Sequence, residues 1–276
     1  MTANPVDHIV EEVTRGRKYR HVTPEVIEHV GAQELRRTRN LRDAVRATKN
    51  KLHQVGGAYL LSEMRYPLWL ARLTAARQDE DAGAFAGACR DVMAHHASTR
   101  ERLADLATFY TTLFEHLGGP RSIIDLGCGL NPLALPWMPL PDGATYLAVD
   151  IYQDLVDFLD RFFDLVAVNG RAMTADLTQG PPPAHADVAL LLKLLPVLDQ
   201  VDRGRGRALL HEVDASRLVV SYPRHSLGGR SRGMTGNYAG QLLEAVAGTN
   251  WDVKRLELRS ELVFVVTKHL PRKNGP

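Results

Sequence analysis

From Arg121 onward, short apolar runs alternate with stretches of helical spacing, and this alternation limits the fold more than any other feature of the chain. The runs are SIIDL, ATYLAVD, DVALLLK, RLVVSYP, WDVKRLEL and ELVFVVTK. Runs that are almost wholly apolar belong to strands buried on both faces, and helices between them supply the crossovers of a mostly parallel sheet. The last two runs are separated by only a short turn near Arg259 and Ser260, which predicts an antiparallel hairpin at the C-terminal end. The fold class expected is α/β, with a doubly covered sheet.

The first 118 residues carry a different pattern. TPEVIEHVGAQEL places Thr23 as an N-cap and Pro24 at the first helical position. NLRDAVRATKNKLHQV, PLWLARLTAAR and AFAGACRDVMAHHA also show helical spacing. STRERLADLATFYTTLFEHLGG has an unbroken amphipathic stripe, which predicts one helix from a Ser98 cap to Gly118 and Gly119. The organisation expected is therefore an all-helical part over 1–118 and a sheet-containing part over 119–276.

Two cysteines, Cys89 and Cys128, are too few for a disulfide framework and lack zinc-ligand spacing. The N-terminus has no basic segment followed by an apolar core, and VALLLKLLPVL is too short for a span and is broken by Lys193. A cytoplasmic, metal-free protein is the expectation.

The stretch RSIIDLGCGLNPLALPWM reads as a buried strand, an acid, two spaced glycines and then Asn131-Pro132 opening a helix; it resembles a dinucleotide loop without its third glycine, since Pro132 stands in that place. A pyrophosphate needs a free helix N-terminus. Asp125, just ahead of Gly127 and Gly129, would repel one. It would suit a cationic ligand without phosphate whose nucleoside still needs close backbone approach, as S-adenosylmethionine does. Asp150 ends the next strand-like run at roughly the ~20-residue interval at which an acid grips ribose hydroxyls. Asp176, in TADL, falls at a further loop on the same rim, within reach of an adenine amino group. Taken alone, Asp176 fits a loop cap equally well; three acids after successive strand units point to a nucleoside-bearing cofactor. A nicotinamide dehydrogenase is the rival, weakened by Pro132 and Asp125.

The net charge is only +2, yet residues 15–51 hold eleven cations, among them Arg15, Arg17, Lys18, Lys49 and Lys51, against four acids. An excess of seven is more than solubility requires and points to phosphate binding. A second cluster, PRHSLGGRSRGM, brings Arg224, Arg230, Ser231, Arg232 and Met234 together after a strand. Its Gly-x-Ser-x-Gly pattern is not a nucleophile elbow, because the strand ends several residues before Ser231. His95 and His96, adjacent on a helix, would point to different faces and make a poor metal site.

Several of these segments together, HHASTRERL, DLGCGLNPLALPWM, YLAVDI, ADL, LLLKLLPVL and SLGGRSRGM, resemble the aminoglycoside-resistance methyltransferases that modify N7 of guanine 1405 in 16S ribosomal RNA. The resemblance spans essentially the whole chain. It implies a Rossmann-like S-adenosylmethionine-dependent methyltransferase fold behind a helical domain that docks on the assembled 30S subunit, in a monomeric enzyme. It gives Arg102 the cofactor carboxylate, Asp150 the ribose, and Asp176 with Leu177 the adenine. Lys193 and Arg230 match positions tied to activity near the target base. Arg232 is a mild departure, since relatives often carry lysine there.

Guanine N7 carries a lone pair and no proton, so its methylation needs positioning rather than a general base. Consistent with this, DVALLLK is followed by no Asn/Asp-Pro-Pro-aromatic motif of amino-group methyltransferases. Lys193 at that place reads equally as a ligand for phosphate or purine and as a lysine snorkelling from a strand end. Trp137, Tyr222, Met234 and Tyr238 are the candidates to stack on a flipped base. Two other functions fit parts of the pattern: a small-molecule methyltransferase with a helical lid, and a non-catalytic ribosome-binding protein.

Overall fold

The computed structural model describes residues 4–57, 59–61, 63–79, 81–166, 168–224 and 234–269, with the side chains of 234–237 outside that description. Seven strands form one sheet in the order β3-β2-β1-β4-β5-β7-β6. They are β1 (Ser122–Leu126), β2 (Thr145–Asp150), β3 (Asn169–Thr174), β4 (Ala186–Leu192), β5 (Ala215–Pro223), β6 (Asp252–Glu257) and β7 (Glu261–Thr267). The first five pair in parallel, and β7 inserts antiparallel between β5 and β6. The C-terminal hairpin is thus present. The edge strand β3 is not among the runs the apolar pattern picks out, because NGRAMT is polar and half-exposed.

Strand alternation sends side chains to two cores. In β4, Val188, Leu190 and Leu192 enter one core, and Ala189 and Leu191 the other. The second core is closed by α9 (Leu195–Val201), α10 (Arg205–Glu212) and α11 (Met234–Val246). The first is closed by α8 (Gln153–Phe163) together with the N-terminal helices. These helices are α1 (Pro5–Thr14), α2 (Pro24–Arg37), α3 (Leu41–Leu52), α4 (Tyr66–Gln78), α5 (Ala82–Met93), α6 (Ala97–Arg100) and α7 (Leu106–Glu115). Ile27, Leu73, Phe109 and Leu113, all fully buried, therefore share one continuous apolar cluster with Ile123 and Val188 of the sheet. No helix among the described residues is long and apolar enough to cross a membrane.

Two local expectations are corrected. The stripe from Ser98 to Leu117 is not one helix: α6 stops at Arg100, turns occupy 101–105, and α7 starts at Leu106. The break lets the Arg102 side chain enter the interior, where it is 1% exposed. Asn131–Trp137 is a 3-10 segment containing Pro136, not the start of an α-helix. No α-helix N-terminus follows the glycine loop, which removes the usual pyrophosphate cradle directly.

Candidate cofactor pocket and active site

The chain winds outward from β1 to β3 and then returns to place β4 beside β1. That reversal opens a crevice at the carboxyl ends of the strands, where ligands of such sheets bind. One pocket there is lined by Gly127 and Gly129 after β1, Asp150 at the end of β2, Asp176 and Leu177 after β3, and Lys193 after β4. Its outer wall comes from the helical part, through Val26, Val55, Tyr59, Leu60 and His96.

Gly127 and Gly129 have φ of +66° and +50°, and added Cβ atoms would meet Leu194 Cδ1 at 2.8 Å and the His96 ring at 2.9 Å. Only glycine fits such backbone at such contact distances. The Gly129 N–H donates to Asp150 Oδ2 (2.8 Å) and the Ile151 N–H to Oδ1 (2.7 Å), which fixes the carboxylate at the rim. Burial raises the Asp150 carboxyl above its ordinary range, and these backbone donors oppose the rise. Each oxygen keeps lone-pair capacity for a hydroxyl donor.

Asp176 is arranged differently. Its Oδ1 accepts from the Thr178 N–H (2.9 Å) and hydroxyl (2.5 Å). Its Oδ2 is buried and has no partner. A buried acceptor left unpaired costs ~1–3 kcal/mol unless something supplies a donor, and an exocyclic amine of a bound base is such a donor. The Leu177 carbonyl accepts from Arg205 Nε (3.0 Å), which ties this loop to α10.

Asp125 lies elsewhere. It is 1% exposed, pairs within the ladder opposite Ala148 and Leu190, and does not line the pocket. The strand continues through Leu126, so the acid is still inside the sheet. Its Oδ2 accepts from Asn131 Nδ2 (2.9 Å) and the Tyr146 hydroxyl (2.7 Å). Burial pushes its carboxyl up to about 6, against the pull of those two donors and of Arg102. The role expected of it, facing a cationic ligand, is corrected to a buried anchor for the loop.

Asn131 links Asp125 to a second set of buried groups. Its Oδ1 accepts from Arg102 Nη1 (2.6 Å) and from the Tyr110 hydroxyl. Arg102 Nε donates to Glu261 Oε1 (2.7 Å), and Ser221 Oγ donates to Glu261 Oε2 (2.5 Å). Arg102 therefore sits beneath the pocket, committed to Glu261, Tyr110 and Asn131, and is not part of the lining. Its expected contact with a cofactor carboxylate is not made available by this side-chain placement. Glu261 is fully buried; burial alone would raise its carboxyl, but Arg102 and Lys193 outweigh this and hold it low.

Lys193 has φ +60°, held by its N–H donating to the Ser221 carbonyl and hydroxyl, both at 3.1 Å. A non-glycine residue in this region costs ~1 kcal/mol or more, and such strain gathers at functional sites. Its side chain does not snorkel: it is 6% exposed, and Nζ donates to the Ser98 carbonyl (3.1 Å) and Glu101 Oε2 (2.5 Å). His96 stacks on Tyr59 (5.9 Å between centroids) with Nδ1 2.9 Å from Ser98 Oγ. Burial, with Lys193 and Arg102, pushes its imidazole down to about 4. Among the described residues no cluster of His, Cys, Asp and Glu could hold a metal ion.

Of the stacking candidates, Tyr222 is buried and lies flat on Tyr238, 4.7 Å between centroids, while Trp137 packs on the first core. Arg230, Ser231 and Arg232, and the side chain of Met234, lie outside the described residues. The basic N-terminal segment is partly neutralised by acids from outside the 15–51 window. Arg15 pairs with Glu11 and Glu12, and Arg17 with Glu63. Lys18 Nζ is 2.8 Å from His53 Nδ1, and Lys51 Nζ donates to the Gln200 carbonyl (2.7 Å). Lys49 is half-exposed on α3, and Arg224 faces Glu257 at 3.3 Å.

Sheet order, glycine loop and the acid-rimmed pocket define a Rossmann-like methyltransferase of the S-adenosylmethionine-dependent class, carrying an N-terminal helical part. The chain belongs to the ribosomal RNA methyltransferase (FmrO) family, whose model matches residues 15–265. It is 40% identical over 266 residues to the 16S rRNA (guanine(1405)-N(7))-methyltransferase of Frankia casuarinae, covering 95% of this chain and 94% of that one. It is 31% identical to the protein of the same name from Serratia marcescens, covering 96% and 99%. The solved 16S rRNA methyltransferase RmtF in complex with S-adenosyl-L-homocysteine superposes with a TM-score of 0.85 at 31% identity, covering 98% of this chain and all of that one.

Proposed function

We propose that the chain transfers a methyl group from S-adenosylmethionine to N7 of guanine 1405 of 16S rRNA, with the assembled 30S subunit as its substrate. The relatives that share 31–40% of its sequence over almost its full length bear that activity in their names. The observation that carries the reading is that Asp176, whose buried Oδ2 has no partner, lines the same pocket as Asp150 and the glycine loop. It fits the adenine amino group of a nucleoside whose ribose meets Asp150.

S-adenosylmethionine supplies an activated methyl on a sulfonium. The protein holds the nucleoside between Asp150 and Asp176, lets it approach the backbone at Gly127 and Gly129, and walls off water with Val55, Tyr59 and Leu60. His96 stays uncharged at neutral pH, so it adds no positive charge beside a cationic cofactor. No side chain has to accept a proton from N7, and the chemistry reduces to alignment of the lone pair with the methyl. Lys193, with Arg230 from outside the described residues, serves the target base. Residues 1–118, through Arg15, Arg17, Lys18, Lys49 and Lys51, dock on the subunit, with Arg224, Arg230, Ser231, Arg232 and Met234 closing on the RNA from 119–276. The enzyme acts as a monomer in the cytoplasm, and modification at this site protects the ribosome from aminoglycosides.

The test supplies labelled S-adenosylmethionine with intact 30S subunits, naked 16S rRNA or an aminoglycoside. Label should enter the intact subunits. Label in the drug, or in no acceptor, contradicts the proposal.

A further inference from the structure

Glu101 lies in the turn between α6 and α7, on the helical side of the pocket, and its side chain is 37% exposed. It reaches across the chain to Lys193, with Oε2 2.5 Å from Nζ. An ammonium has three hydrogens to place. One goes to Glu101 and one to the Ser98 carbonyl at 3.1 Å. The next acceptor, Glu261 Oε1, is 3.3 Å away and already takes the Arg102 Nε hydrogen at 2.7 Å. The third hydrogen is therefore weakly engaged, on a lysine that lines the pocket.

The edge of guanine that carries N7 also carries O6, and both are acceptors; adenine has an amino donor in place of O6. A free lysine would donate to N7 as readily as to O6, and a hydrogen bond to N7 would occupy the lone pair that must attack the methyl. Fixing two of the three hydrogens prevents this. Glu101 also cancels the lysine charge where the attacking base becomes positive: Arg102 and Lys193 are matched by Glu101 and Glu261. An unmatched cation there would oppose the charge that develops in the transition state.

We propose that Glu101 is a positioning residue that orients the Lys193 ammonium, so that its remaining hydrogen meets O6 of the target guanine and N7 stays free. This rests on the proposed function. Glu101→Gln should lower the single-turnover methylation rate of saturating 30S subunits on the order of 10²-fold, the loss typical of a misplaced reacting group. S-adenosylhomocysteine affinity and subunit affinity should match the parent protein, while loss of the partner charge of buried Lys193 lowers the melting temperature without unfolding the protein at the assay temperature. Glu101→Asp should restore part of the rate. Because Glu101 acts through Lys193, the double variant Glu101→Gln with Lys193→Met should be no slower than Lys193→Met alone. A Glu101→Gln rate equal to the parent, losses that multiply in the double variant, or a parallel fall in S-adenosylhomocysteine affinity would each overturn the proposal. Parent protein that methylates no subunits overturns the proposed function itself, and is seen before any variant is compared.

Discussion

Asp125→Asn should make the protein more stable at neutral pH, and the gain should disappear in acid. The carboxyl of Asp125 is pushed from its ordinary 3.8 to about 6 by burial beneath the pocket. A folded-state value above the unfolded one means that the native state binds the extra proton between these two values. Below 3.8 both states are protonated and the group imposes no charge cost; above about 6 both are ionised and the full cost is present. The interval from 3.8 to about 6, at ~1.4 kcal/mol for each tenfold change in proton affinity, amounts to ~3 kcal/mol. Asparagine keeps an oxygen for Asn131 Nδ2 and the Tyr146 hydroxyl without the charge. Urea unfolding of both proteins across this pH range should show their stability difference widening by ~3 kcal/mol as pH rises. S-adenosylhomocysteine affinity should be retained, since Asp125 does not line the pocket. A stability difference independent of pH would refute the buried-anchor reasoning, and loss of affinity at full stability would return Asp125 to the cofactor site.

Asp176→Ala removes a pocket carboxylate whose buried oxygen lacks a donor, and calorimetry should show S-adenosylhomocysteine binding at least ~10-fold weaker with an unchanged melting temperature. Gly129→Ala forces a Cβ to within 2.9 Å of the His96 ring at φ +50°, so melting temperature and cofactor affinity should fall together, with ~2 kcal/mol or more lost in urea titrations. Lys18→Glu combined with Lys49→Glu should weaken 30S binding in filtration assays and flatten its salt dependence while leaving cofactor affinity intact; equal loss of both would argue against separate docking and cofactor surfaces.

The sheet could be read from sequence where strands are buried on both faces, because Val188–Leu192 and Leu218–Val220 have no polar face to confuse the pattern. Edge strand β3 lacks that signal, since NGRAMT packs mainly through one neighbour, β2. The helix break at 101–105 was invisible to a local stripe, because its cause is Arg102 meeting Glu261, 159 residues away. The same distance hid Glu261 itself, whose only local sign is a charge opening an otherwise apolar strand. Asp150 and Asp176 were legible because strand ends in this topology converge on one rim. The bounds of the SIIDL strand were legible, but the burial of Asp125 was not, because its partners Asn131 and Tyr146 stand outside that strand. The charge excess over 15–51 was legible, but not its partial compensation, because Glu11, Glu12 and Glu63 fold against Arg15 and Arg17 from outside that window.

The proposed product carries one methyl group on one purine nitrogen. It is tested by extracting 16S rRNA from 30S subunits incubated with the protein and S-adenosylmethionine, then reducing it mildly and treating it with aniline, which cuts the chain at 7-methylguanosine. Primer extension should place a new, cofactor-dependent cut at guanine 1405, absent from subunits incubated with an Asp150→Ala variant. A methylated subunit with no cut at that nucleotide, or a cut at another guanine, would contradict methylation of N7 of guanine 1405.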